Sequence, residues 1–334
     1  VVGQGGGSGS AATNAGVRVT GGGRITAALD GTVSVMGSGG ISTGGWNRGV
    51  GVWNENSTIT SSGGNVTINA IGGGTGNSQG NVGILTAGKG VISAGGNGAV
   101  SVNGTGGAAE GNNNWGVSVQ DLDSRITSGG GDVSVTGQGG GTGSSADNVG
   151  VNLDNGGEIT SGGMGTVTIT GTGGSSGGDN NWGVNLVDGD SQITSGGGDI
   201  TVSGQGGGSG ASALNFGVRV VQASAGPGKI TAIGDAVLNV TGIGGTGSGG
   251  MQYGVFLWGA SITGGTTGLV IVSGTGGASS GDANHGVSLG SSTTTITSSG
   301  GNVQVVGQGG GSGSSASNAG VRVTGGGRIT AALD

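Results

Sequence analysis

Apolar residues along this chain fall into three short clusters that recur in a fixed order. The first follows a glycine and alternates, as in Val17 and Val19, Val117 and Val119, Val151 and Leu153, or Val184 and Leu186. The second is an Ile-Thr step at Ile25, Ile59, Ile126, Ile159, Ile193, Ile230, Ile262, Ile296 and Ile329, with Ile92-Ser93 as a variant. The third is a period-two pair, as in Val33 and Val35, Val66 and Ile68, Val133 and Val135, Ile200 and Val202, or Val303 and Val305. Alternation of β-branched residues predicts short strands with one face inward, and no segment carries helical spacing.

The clusters keep register. An Asn-x-Gly-Val motif places its glycine at Gly16, Gly49, Gly83, Gly116, Gly150, Gly183, Gly217, Gly254, Gly286 and Gly320, at spacings of 33, 34, 33, 34, 33, 34, 37, 32 and 34 residues. Disordered low-complexity sequence holds no such count. The gap from the apolar pair to the next motif glycine is 15 residues before Gly83, Gly150, Gly217 and Gly320, and 14 before Gly49, Gly116, Gly183, Gly254 and Gly286. Two unit types, long (A) and short (B), therefore alternate, until two B units adjoin at Gly254 and Gly286. Residues 1–10 reappear at 305–314 and 17–30 at 321–334, so nine units form a super-repeat of 304 residues.

A unit of three short strands cannot bury its apolar face alone, whereas stacked units share a continuous core. The expected fold is all-β: a right-handed parallel β-solenoid with three short strands per coil of about 34 residues. Residues 1–334 read as one repeat array of about ten coils, a window of a longer chain. Stacking would align Asn14, Asn47, Asn81, Asn114, Asn148, Asn181, Asn215, Asn284 and Asn318 as an amide ladder at one corner, with Gln252 as an accommodated interruption. Each coil is longer than a solenoid turn needs, which leaves either a glycine-rich lobe, running from Gly137 to Ser145 in one unit, or a wide cross-section. The corner from Ala223 to Gly228 is lengthened, and Pro227 there belongs to a bulge rather than a strand.

Composition narrows the chemistry. Gly accounts for 96 of 334 residues, but Pro occurs once and Gly has no triplet period, which excludes collagen. Nine Lys+Arg, scattered in a chain of net charge −7, give no basic footprint for nucleic acid. No apolar run is long enough to cross a bilayer as a helix. A single His, no Cys and 7% charged residues leave little from which to build a catalytic or metal cluster, so no enzyme activity is expected. Gly129–Val133 and Gly196–Ile200 resemble calcium-binding β-roll nonapeptides only weakly, since Gly-Gly-x-Gly-x-Asp is not reproduced in tandem at nine-residue spacing and Asn65, Thr166 or Asn302 replaces the aspartate in equivalent units. No cofactor is expected beyond an occasional calcium ion at such an aspartate corner.

Large residues follow the ladder Asn or Gln in B units: Arg48, Trp115, Trp182, Tyr253 and His285. They read either as lids across two coils or as a stripe for lateral or glycan contact. Rows of Thr and Ser, such as Thr67, Ser101 and Ser134, suit an uncharged β-face, with ice binding the remoter use.

Asn-x-Gly-Val-x-Leu at 181–186, Ile-Thr-Ser-Gly-Gly-Gly at 193–198 and Val-x-Val-Thr-Gly-x-Gly-Gly at 133–140 resemble the β-strand-repeat regions of large bacterial surface proteins. They are similar to the solenoid stalks of filamentous-haemagglutinin-like and autotransporter-type adhesins. The resemblance covers essentially the whole chain. It implies secretion, a cell-surface or extracellular matrix location, and a structural role in a fibre or stalk. Self-association into a filament or bundle is the partner expected, and polysaccharide through the aromatic stripe is the alternative.

Overall fold

A computed structural model describes residues 1–224 and 226–331. Thirty strands form three parallel sheets of ten strands each, and successive members of a sheet come from successive coils. The fold is a parallel β-solenoid of about ten turns with about 34 residues per coil, as the three-cluster pattern predicts. Each coil contributes one strand per sheet. In the coil that carries Gly150 these are Val133–Gln138, Val151–Asp154 and Glu158–Ser161, here called the long, Gly-Val and Ile-Thr strands.

Register follows the sequence rows. Val117, Val151, Val184 and Val218 stack in the Gly-Val sheet. Ile126, Ile159, Ile193 and Ile230 stack in the Ile-Thr sheet, and Val135, Ile169 and Val202 in the long sheet. All of these side chains are fully buried in one continuous core. Parallel ladders leave each coil's edge unpaired until the next coil docks, so apolar burial and axial hydrogen bonding are gained together.

One boundary differs from the sequence reading. Gly137 and Gln138, assigned above to the connector, are the last two residues of the long strand. A Cβ at Gly137 would lie 2.1 Å from the carbonyl oxygen of Gly150, so glycine lets the long strand lie close against the start of the Gly-Val strand, although Ala70 takes the same row position one coil before Gly104. Gly104, Gly171 and Gly204 occupy the same row against Gly116, Gly183 and Gly217. The recurrent motif glycine is thus half of a pair of facing glycine rows.

The rest of the connector is ordered along the axis. Gly139 N donates to Thr172 O at 2.8 Å, Gly140 N to Asn114 O at 2.7 Å, Gly141 N to Gly107 O at 2.9 Å and Thr142 N to Ala109 O at 2.9 Å. The glycine-rich lobe is therefore a second stacked column beside the sheets. The lengthened corner lies between strands Val218–Val221 and Lys229–Thr231 and holds Pro227 outside both. Ala225, within that corner, and Ala332–Asp334, at the end of the repeat array, lie outside the described residues.

Candidate functional site

The lobe has a polar core. Asn47, Asn81, Asn114, Asn148, Asn181, Asn215 and Asn284 are fully buried. Their amides bond from coil to coil: Asn14 Nδ2 donates to Asn47 Oδ1 at 2.8 Å, Asn47 to Asn81 at 3.1 Å, Asn81 to Asn114 at 2.9 Å, Asn114 to Asn148 at 3.1 Å and Asn148 to Asn181 at 3.0 Å. Each buried amide finds partners on both sides, which removes the cost of desolvating it.

Serines complete the column, and they explain the two unit types. In A units a serine sits three residues before the Asn: Ser78, Ser145, Ser212 and Ser315. Each donates to a backbone carbonyl of the preceding B unit, Gly44, Gly111, Gly178 and Gly281 respectively. The same carbonyls accept from the B-unit amides of Asn47, Asn114, Asn181 and Asn284. In the B units of Asn47 and Asn181 the serine stands five residues before the Asn, at Ser42 and Ser176, and bonds Asn Oδ1 at 3.0 and 3.2 Å; Ala109 and Gly247 fill that place before Asn114 and Gln252, and Ser279 before Asn284 bonds Gly249 O instead. The extra A-unit residue is absorbed at Gly74, Gly141, Gly208 and Gly311, all at positive φ. A Cβ there would fall 2.4–2.6 Å from an amide atom of the ladder Asn or, at Gly208, 2.5 Å from Asn215 Nδ2.

Gln252 stands where two B units adjoin. Its Oε1 accepts from Asn215 N at 3.3 Å, while its Nε2 turns back to Ser212 O at 2.8 Å and Gly249 O at 2.9 Å. The additional methylene lets one side chain reach its own turn and the coil before it.

A groove runs along the outer face of the Gly-Val sheet. Its floor is the row Arg18, Gly51, Leu85, Ser118, Asn152, Asn185, Arg219, Phe256, Ser288 and Arg322. These residues point away from the core, yet Leu85, Ser118, Asn152, Asn185 and Ser288 are buried by the walls on either side. One wall is the row after the ladder Asn. Trp115 and Trp182 are half-buried there, and each indole Nε1 donates to a carbonyl on the following coil, Asp147 O and Leu214 O, at 2.8 Å. Trp182, Phe216, Tyr253 and His285 form a stack with centroids 6.3, 5.0 and 5.0 Å apart, in which Tyr253 and His285 are buried.

Several charges in the groove are partly desolvated, whereas Arg18 and Arg322 at its two ends are exposed. Arg219 lies 4.3 Å from the Trp182 ring centroid and donates to Asn185 Oδ1 at 2.7 Å; burial pulls it down to about 10, against the attraction of Asp188. Burial lowers Arg48, and the neighbouring Arg18 lowers it further. Burial raises Asp147 and Asp154, and Asp188 pushes Asp154 higher. Burial holds His285 below its ordinary value, and its Nδ1 accepts from Ala319 N at 3.1 Å. Cavities of about 400, 340 and 720 Å³ open along this face, near Trp53, between Trp115 and Trp182, and beside Tyr253 and Arg322.

The corner aspartates have a different task. Asp132 Oδ1 accepts from Thr166 N at 2.8 Å and Thr166 Oγ1 at 2.9 Å, while Asp179, Asp199 and Asp282 accept from Ala213 N, Val237 N and Ala316 N at 2.8, 2.8 and 2.7 Å. Each carboxylate pins the turn of the following coil. Among the described residues no three His, Cys, Asp or Glu side chains gather around a point that could hold a metal ion.

The chain matches no family model, no curated protein and no solved structure. Sequence reasoning missed the serine partners of the asparagines and the outward row of the Gly-Val sheet. The serines shift between three and five residues before the Asn, which masks their column, and the groove floor, mixing Arg, Gly, Leu, Ser, Asn and Phe, offered no signal.

Proposed function

We propose that this chain is a structural segment of a secreted or cell-surface fibre, stalk or matrix filament, without enzymatic activity. The observation that carries the reading is axial continuity. Backbone ladders in all three sheets run through ten coils, across the lengthened corner and the adjoining B units alike. The lobe adds side-chain bonds in the same direction. Such a rod bears load through many equivalent bonds, and its length scales with coil number. The extracellular location rests on the resemblance of the repeats to bacterial surface stalks. Lateral self-association would use the exposed indoles Trp46 and Trp258 beside the groove.

Single-molecule extension from both termini tests the reading. Coils should release in steps of about 11 nm or small multiples, the extended length of roughly 34 residues less one rung. Collapse at low force in one event, without such steps, would count against a load-bearing role.

A further inference from the structure

The groove over the first four coils, counted from the one carrying Gly16, is chemically unlike the rest. Arg18 and Arg48 lie 4.9 and 5.2 Å from the Trp53 ring centroid, and Trp53 lies flat over Gly51, where a Cβ would come within 1.8 Å of the indole. The ion pairs among the described residues are Lys89–Asp123 and Lys229–Asp190, so neither arginine is in one. Arg48 Nε is buried without a hydrogen-bond partner. Arg18 is exposed, but Arg48 is half-buried with Arg18 as a like-charged neighbour and no carboxylate paired to it, an electrostatic cost that an anion would relieve.

The far end of the same cavity has the opposite character. Asp121 lines it, two coils beyond the one that carries Arg48, Trp53 and Asn54, and already accepts from Gly88 N at 3.0 Å and Asn155 Nδ2 at 3.2 Å. A carboxylate there offers lone pairs to hydroxyl donors and repels a second acid group. The cavity holds about 400 Å³. From the Arg18 rung to the Asp121 rung is about 14 Å, three strand spacings. Leu85 and Trp53 supply an apolar wall between the two ends.

We propose that this cavity binds a saccharide segment carrying one carboxylate next to a neutral sugar. The Arg18 and Arg48 forks grip the carboxylate, the apolar wall takes ring C–H faces, and Asp121 takes a hydroxyl at the neutral end. A nucleic acid or polyphosphate, charged at every step, would place an anion against Asp121. The inference is independent of the mechanical role.

The test is titration of the whole chain with a tetrasaccharide alternating glucuronate and N-acetylglucosamine, followed by calorimetry and by indole fluorescence, with Trp53→Phe locating the signal. Saturable binding is expected, weakened at least tenfold by Arg48→Gln and by Arg18→Gln, and unchanged by Arg219→Gln farther along the groove. Arg48→Lys, which keeps the charge but loses the fork, should fall between, and far-UV circular dichroism and thermal unfolding confirm that each variant is folded. Methyl esterification of the glucuronates should abolish binding. No binding, equal binding of neutral tetra-N-acetylglucosamine, tighter binding of tetraglutamate or of a sulfated tetrasaccharide, or an affinity indifferent to both arginines would each overturn the proposal.

Discussion

The coils through Asn81 to Asn181 and those through Asn215 to Asn284 share one sheet framework but differ in their polar column. In the first set A and B units alternate, and each Asn from Asn81 to Asn148 donates onward to the next. From Asn181 through Gln252 the relay is interrupted, and it resumes where Asn284 Nδ2 donates to Asn318 Oδ1 at 3.1 Å. Asn181 Nδ2 donates to Gly178 O, Asn215 Nδ2 to Ser212 Oγ, and Gln252 Nε2 to backbone carbonyls. Yet Val218 still pairs with Val255, Ile230 with Ile262 and Leu238 with Val270. Apolar register therefore sets the fold, while the amide column adapts to the local sequence of unit types.

The largest effect is expected where the framework itself is struck. Gly171→Val would drive a branched side chain into the carbonyl of Gly183, since even a Cβ there comes within 2.1 Å. A loss above about 3 kcal/mol in denaturant unfolding is expected. A loss below about 1 kcal/mol would show that the facing glycine rows have room to part.

Exchanging the column residues sharpens the contrast. Asn148→Gln forces an extra methylene into a site filled on every side and should cost about 2 kcal/mol. Gln252→Asn shortens a side chain that must reach Ser212 O and should cost about 1 kcal/mol. If both were neutral, the column would be a passive filler. If Gln252→Asn were stabilising, Gln252 would be a defect rather than an adaptation.

The smallest effect separates corner carboxylates from groove carboxylates by pH. Hydrogen bonds from Thr166 hold Asp132 below its ordinary value, so its contribution is present above the unfolded-state pKa and is lost as pH falls through the lowered folded value. Asp154 is raised, chiefly by burial, so its ionisation opposes folding; that penalty is fully expressed above the raised folded pKa and relieved as pH falls below it. Melting temperature against pH should therefore diverge from wild type in opposite directions: Asp132→Asn narrows the gap at acid pH, and Asp154→Asn gains at neutral pH. Parallel curves for the three proteins would refute the distinction.

How much of this was legible in the sequence depends on whether a row keeps its residue type. Val/Ile rows and the Asn row repeat at constant spacing, so strands, sheets and the stacked corner could be read directly. Gly137 was hidden because glycines surround it, and only the carbonyl of Gly150 shows what distinguishes it from them. The serines were hidden by their shift from three to five residues before the Asn, which disguises one buried column as scattered Ser. Trp115 and Trp182 were legible as large residues at a recurrent position, but their anchoring through Asp147 O and Leu214 O depends on the height of one rung.

From Asn14 to Asn148 every ladder amide hands a hydrogen to its higher-numbered neighbour, and none is returned. The column is consequently a vector, with its small dipoles summed in one sense like arrows nose to tail. Two such rods meeting end to end are compatible only when both arrows agree, because a reversed encounter sets like poles against each other. Any material built from this chain by axial joining would inherit a front and a back.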